Sequence, residues 1–197
     1  MKIKDPIVEK ILSIWEKDGI FETGLVIMRG QPIHFGHIRL IDTALSQCRQ
    51  VFVVLGSTQE FGTSRNPFSF SERKRMLKNY YSQQEDVWKN KLIILGLPDI
   101  FSLRWPKYVL EEIHKIYPDI EITSVFGGSQ YDCDWFKDLK HHIVDRSHPD
   151  YPFASASMIR DMLTYNDKRW MDYVPECNWH IIARKFNRLD MLREYES

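Results

Sequence analysis

Apolar residues follow two rhythms along this chain. One is the short unbroken run: GLVIMRG at 24–30, QVFVVLGS at 50–57, KLIILGL at 91–97, EITSVFGG at 121–128 and HIVDR at 142–146. Runs of this kind, rich in Val, Ile and Leu and bounded by Gly or polar residues, predict buried strands. The other rhythm is helical, with apolar residues three or four apart. It covers 34–48 (Ile38, Ile41, Leu45), 66–81, 106–117 and 155–163. DWFKDLKH, 134–141, predicts a further short helix.

Local signals sharpen several ends. Ser69 three residues before Glu72 is a candidate capping box, and Pro106 suits a helix start. Residues 5–18 predict a helix with Asp5 as N-cap, Pro6 in the first turn and Gly19 at the stop. There Ile7, Ile11, Ile14 and Trp15 share one face. Residues 178–195 predict a long amphipathic terminal helix.

Strand and helix alternate, so the expectation is an α/β fold, a Rossmann-like doubly wound parallel sheet covered by helices on both faces. No repeat or linker divides the 197 residues, which predicts a single domain over 1–197, with a core at 24–175 and flanking helices at 5–18 and 178–195. In such sheets ligands bind beyond the carboxyl ends of the strands.

Composition narrows the partners. Lys and Arg number 27 and Asp and Glu number 27, so no basic excess points to nucleic acid. Cys48, Cys133 and Cys177 are sparse and form no CxxC, which reads as a reducing compartment. The start MKIKDPIVEK has no signal-peptide character and no run reaches a membrane span. The expectation is a cytoplasmic protein with no membrane partner.

The chemistry starts at MRGQPIHFGH, 28–37. His34 and His37 fall on one face of the first turn of a helix that follows a buried strand. Unsatisfied backbone N–H groups and the helix dipole favour an anion there, and Gly36 leaves the backbone open to close approach. Arg29 adds positive charge at the strand end. The group suits a polyphosphate; an HxxH pair is also half of a zinc site, which would need further ligands.

HFGH after an apolar strand resembles the HxGH signature of the nucleotidyltransferase α/β-phosphodiesterase superfamily. ASASMIR, 154–160, resembles the second motif of that superfamily. RGQPIHFGH, VVLGSTQEFGTSRNPFSFSERKRML and SASMIRDML together resemble the nicotinamide mononucleotide (NMN) adenylyltransferases of the archaeal type. GGSQYDCDWFKDL is similar to the bacterial members fused to a Nudix hydrolase. The resemblance implies transfer of AMP from ATP to NMN, with NAD and pyrophosphate as products and Mg²⁺ bound mainly through the ATP phosphates.

The resemblance also implies site residues. Arg29, Gly30, His34, Gly36, His37, Ser155, Ser157 and Arg160 would meet ATP, with Gly127 and Gly128 beside the adenine. Ser57, Arg65, Asp99 and Trp105 would meet NMN. Arg29, His34, His37 and Arg160 would carry catalysis, with no protein-bound metal. The second motif departs from the usual pattern at Ser155-Ala156-Ser157, and Asp161 stands where relatives carry further arginines. No Nudix box is present, which predicts no pyrophosphohydrolase activity. Two alternatives stay open: another transferase of this superfamily (a phosphopantetheine adenylyltransferase or polyol-phosphate cytidylyltransferase), or a nucleotide-binding sensor without turnover. The terminal helices leave a homo-oligomer possible.

Overall fold

Five parallel strands form one sheet in the order β3-β2-β1-β4-β5. The computed structural model describes residues 21–84, 90–145 and 153–192, apart from the side chains of Phe21, Glu22 and Leu189. The helix expected at 5–18 lies outside the described residues. The strands are β1 (Phe21–Met28), β2 (Cys48–Leu55), β3 (Leu92–Gly96), β4 (Ser124–Gly127) and β5 (Lys140–Ile143). The helices are α1 (Phe35–Gln47), α2 (Phe70–Tyr81), α3 (Trp105–Ile116), α4 (Gln130–Cys133), α5 (Ala156–Thr164) and α6 (Trp179–Lys185).

Side-chain alternation along the strands sorts the core into two layers. Val26, Met28, Val51, Val53 and Leu55 face α1, α2, α5 and the C-terminal turns, where Ile38, Ile41, Met76, Ile159 and Trp170 complete one cluster. Leu25, Phe52, Val54 and Val125 face the other way, onto Val109, Ile113, Cys133 and Phe136. The doubly wound sheet is therefore present, and chain order reverses between β1 and β4. That reversal opens a crevice at the carboxyl ends of these two strands.

The capping box at α2 forms as the spacing predicts: Glu72 N donates to Ser69 Oγ, and Ser69 N donates to Glu72 Oε2 at 2.8 Å. Two expectations are corrected. The short helix is not at 134–141 but at Gln130–Cys133, started by Ser129, whose side chain accepts from Asp132 N. The next residues instead turn Phe136 into the core, where it is 3% exposed. The terminal helix over 178–195 is also not continuous. Its described part is α6, a break at Phe186–Arg188, and a 3-10 turn at Leu189–Leu192. Asn187 sits at φ 55°. Its N–H meets Arg184 O at 3.2 Å, and Arg188 N–H meets Ala183 O at 2.7 Å. That pair of bonds is the Schellman ending of a helix. Among the described residues no helix is long and apolar enough to cross a membrane.

Candidate active site

α1 starts on histidine. His34 is the N-cap in extended conformation. Its Nδ1 accepts from Gly36 N at 3.1 Å, while His37 Nδ1 accepts from His34 N at 3.4 Å. The two rings lie 3.8 Å apart between centroids. A neutral imidazole that accepts at Nδ1 carries its proton on Nε2. Each ring can thus offer an Nε2–H donor at the positive end of a helix. Gly36 fits this arrangement closely: a Cβ there would stand 3.0 Å from the His34 ring, which would have to give by a few tenths of an ångström. Gly30, at φ 61°, makes the preceding turn.

The second motif reaches the same place through Ala154, whereas Ser155, Ser157 and Arg160 are not among the residues that line the cavity there. A narrow cavity of about 90 Å³ is lined by His34, Gly36, His37, Gly128, Phe153 and Ala154, among others. Ser155 caps α5, accepting from Met158 N at 3.2 Å, and its hydroxyl lies 3.1 Å from that of Ser157. Arg160 donates from Nη1 to Gln31 O at 2.7 Å. Burial pushes its guanidinium below the ordinary pKa, Asp161 opposes that, and the charge of Arg65 adds to it. Arg65 is exposed and electrostatically coupled to Arg160. It does not line the cavity that holds Arg29, Asp99 and Trp105.

That second, wider cavity of about 690 Å³ lies over the ends of β1 and β2. Arg29 extends into it and pairs with Asp99 at 3.5 Å, so its side chain is not among those lining the narrow cavity with the histidines. Asp99 is held from below. Ser57 N donates to Asp99 Oδ1 at 3.0 Å, and the Ser57 hydroxyl donates to Oδ2. Ser57 is fully buried at φ 54°, a left-handed conformation that costs a non-glycine residue on the order of 1 kcal/mol. Its place is therefore beneath Asp99 and not on the cavity surface. Trp105 lines the cavity at the first turn of α3. Gly127 turns out to serve packing: a Cβ there would stand 2.7 Å from Cys133 Sγ, whereas Gly128 lines the narrow cavity.

Sequence reasoning missed two residues that hold these parts together. Gln31 is buried and pairs with Phe68 through both its amide atoms, each bond 2.8 Å, so it ties the loop before α1 to the loop before α2. Arg73 is fully buried. Its guanidinium donates to Arg29 O at 2.6 Å, Gly56 O at 2.7 Å, Ser57 O at 3.5 Å and Ser69 O at 3.3 Å. It pins the ends of β1 and β2 side by side. Burial lowers its pKa, while nearby Asp99 opposes that and Arg29 adds to it. A signal existed: Arg73 shares the helix spacing of the buried Met76, Leu77 and Tyr81.

This geometry can be set beside known proteins. The cytidylyltransferase-like family matches residues 31–196. A nicotinamide-nucleotide adenylyltransferase of Aeropyrum pernix is 38% identical over 149 residues, spanning 75% of this chain and 83% of that protein. One of Pyrococcus abyssi is 30% identical over 154 residues, 78% of each chain. Among solved structures, a bifunctional NMN adenylyltransferase/ADP ribose pyrophosphatase of Francisella tularensis, complexed with AMP and a manganese ion, superposes with TM-score 0.68 at 21% identity. The match covers 89% of this chain and about half, 54%, of that longer one. The chain belongs to the cytidylyltransferase-like family of nucleotidyltransferases, with archaeal nicotinamide-nucleotide adenylyltransferases among its relatives.

Proposed function

We propose that this chain transfers the adenylyl group of ATP to NMN, releasing pyrophosphate and giving NAD. The observation that carries this reading is the meeting of the histidine-capped helix start with Ala154 at one narrow cleft, with Arg160 bonded to Gln31 O on the loop before that helix. The adenylyltransferase names of the archaeal relatives support it.

The nucleophile is the 5′-phosphate of NMN, whose second pKa of about 6 leaves it largely dianionic at neutral pH. No protein base is needed. An oxygen of that phosphate forms a bond to the α-phosphorus of ATP as the bond from that phosphorus to the bridging oxygen of pyrophosphate breaks. Negative charge grows on the equatorial and leaving oxygens. The Nε2–H groups of His34 and His37, the N–H groups of the first turn of α1, the serines of α5 and Arg160 supply fixed donors for it. Arg29 and Arg65 add positive charge on the acceptor and phosphate sides. Arg29, Asp99 and Trp105 hold NMN so that its phosphate lies in line.

Among the described residues no three His, Cys, Asp or Glu side chains gather as a metal cage. The divalent ion arrives with the nucleotide, held by phosphate oxygens and water, as suits a small cation that keeps much of its hydration. The AMP and manganese of the Francisella structure support a metal-complexed nucleotide, with Mg²⁺ as the ion here. The cytoplasm, where both substrates occur, is its place of work.

The test is to incubate the protein and Mg²⁺ with ATP plus NMN or phosphopantetheine, or with CTP plus a polyol phosphate, and to measure pyrophosphate and NAD. NMN-dependent release of both is the expected result. Nucleotide binding with no pyrophosphate from any acceptor would contradict it and favour a sensor.

A further inference from the structure

The role of Arg73 goes beyond joining two strands. We propose that it is a positioning residue for the acceptor, acting through the Gly56–Ser57 peptide plane on the Arg29–Asp99 pair. The proposal rests on the adenylyl-transfer reading and adds to it what keeps the NMN-facing groups in place.

The geometry runs through one peptide bond. Arg73 Nη1 donates to Gly56 O at 2.7 Å from inside the fold. The peptide that carries this carbonyl is trans and planar, so its N–H, on Ser57, points the opposite way. There it donates to Asp99 Oδ1 at 3.0 Å, and the Ser57 hydroxyl donates to Oδ2. The guanidinium and the carboxylate therefore hold the two ends of one rigid dipole. Asp99 is fixed at its backbone as well, where its N–H donates to Gln59 Oε1 at 3.0 Å. The same Arg73 Nη1 donates to Arg29 O at 2.6 Å. That bond fixes the main chain from which the Arg29 side chain reaches Asp99 at 3.5 Å.

This peptide needs holding. Ser57 sits at φ 54°, where a residue with a Cβ is disfavoured, and Gly56 before it has no Cβ to resist rotation. Turning the peptide over would return Ser57 to an ordinary backbone conformation. It would also swing the Ser57 N–H into the fold and set the Gly56 carbonyl against the carboxylate of Asp99. Arg73, fully buried and bonded to four carbonyl oxygens, opposes that rotation. Lysine keeps the charge but has no rigid fork to reach Arg29 O, Gly56 O and Ser69 O together.

The test uses the full chain carrying Arg73→Lys, Asp99→Asn or both, and separately Ser57→Ala and Ser57→Gly. KM for NMN and for ATP, kcat, melting temperature and calorimetric binding of NMN without ATP are measured. Arg73→Lys should raise KM for NMN and weaken NMN binding about tenfold, with KM for ATP unchanged. In the Asp99→Asn background it should change both by less than about twofold, because the group it positions is gone. A merely structural arginine would cost the same in both backgrounds. Ser57→Gly should bind NMN more tightly than Ser57→Ala, although both lack the hydroxyl, because glycine keeps the left-handed conformation that alanine leaves. That pair decides the matter should Arg73→Lys fail to fold. An Arg73→Lys protein that melts earlier with NMN affinity unchanged, effects that multiply in the double variant, or equal affinities of the two Ser57 variants overturns the proposal. The expected pattern in NMN binding without NAD formation would sink the transfer reading and leave this one standing. NAD formation without that pattern would do the reverse, and an unaltered protein that does not bind NMN overturns both.

Discussion

The guanidinium of Arg160 lies 2.7 Å from the carbonyl oxygen of Gln31, a contact across 129 residues of chain. Gln31 is three positions before His34, so this one bond brings the α5 motif against the start of α1. Only one of the five N–H donors of Arg160 is needed for it. The contact thus docks the arginine on the loop that leads into the narrow cavity of His34, His37 and Ala154, although its own side chain is not among those lining that cavity.

His37→Ala should lower kcat by about 100-fold, the usual cost of one preorganised donor. It also removes half of the α1 capping box, so the melting temperature should fall by a few degrees for a loss of about 1 kcal/mol. Steady-state NAD formation and thermal unfolding separate the two effects. An unchanged kcat would take this imidazole out of the chemistry.

Arg73→Met should destabilise the fold by about 3 kcal/mol, because Met fills much of the volume and leaves buried carbonyls at the ends of β1 and β2 without a donor. Arg73→Lys should lose less. Denaturant midpoints at constant m check this; equal midpoints for Met and the original would show that the clamp does not matter.

The acid limb of stability should depend on Glu72. Burial pushes this carboxyl up, but the backbone and hydroxyl of Ser69 and the ammonium of Lys185, at 3.0 Å, outweigh burial and leave its pKa lowered from 4.5. The unfolded chain therefore takes up the proton first as pH falls. The contribution is complete above the ordinary carboxylate range and is lost as pH drops through it to the depressed folded value. Asp42 runs the opposite way, raised mainly by burial with the Tyr81 hydroxyl opposing. Comparing Glu72→Gln with the original isolates one term: the substitution should flatten the acid loss, and an identical acid limb would contradict the assignment.

Asn187→Ala should cost about 1 kcal/mol, since a Cβ-bearing residue without a local polar side chain is disfavoured at φ 55°. Asn187→Gly should be neutral or better. Calorimetric melting decides, and equal stability of Ala and Gly variants would show that the left-handed ending carries no energy.

These residues also mark how far the amino-acid order could be read. β1, Gly30 and α1 were legible because an apolar run, a turn glycine and a helical period follow one another directly. The Ser69–Glu72 box was legible as a local pairing. The C-terminal turns were not, because Trp170 and Met171 are buried from a 3-10 turn and Val174 from the extended residue after it, with no helical period. The nearness of Arg65 to Arg160, the reach of Arg29 toward Asp99, and the packing role of Gly127 all depend on which strands lie side by side. No spacing along the chain carries that. Arg73 was hidden by its charge, which reads as solvent-facing until its helix face is compared with its neighbours.

The central claim is that two remote motifs surround one triphosphate. A crystal structure with NMN and a non-hydrolysable ATP analogue tests it most directly. The account predicts Nε2 of His34 and His37 and the guanidinium of Arg160 within hydrogen-bonding distance of the same polyphosphate, with the pyridinium ring in the cavity of Arg29 and Asp99. A nucleotide seated elsewhere, or touching the histidines while Arg160 points away from its phosphates, would contradict it.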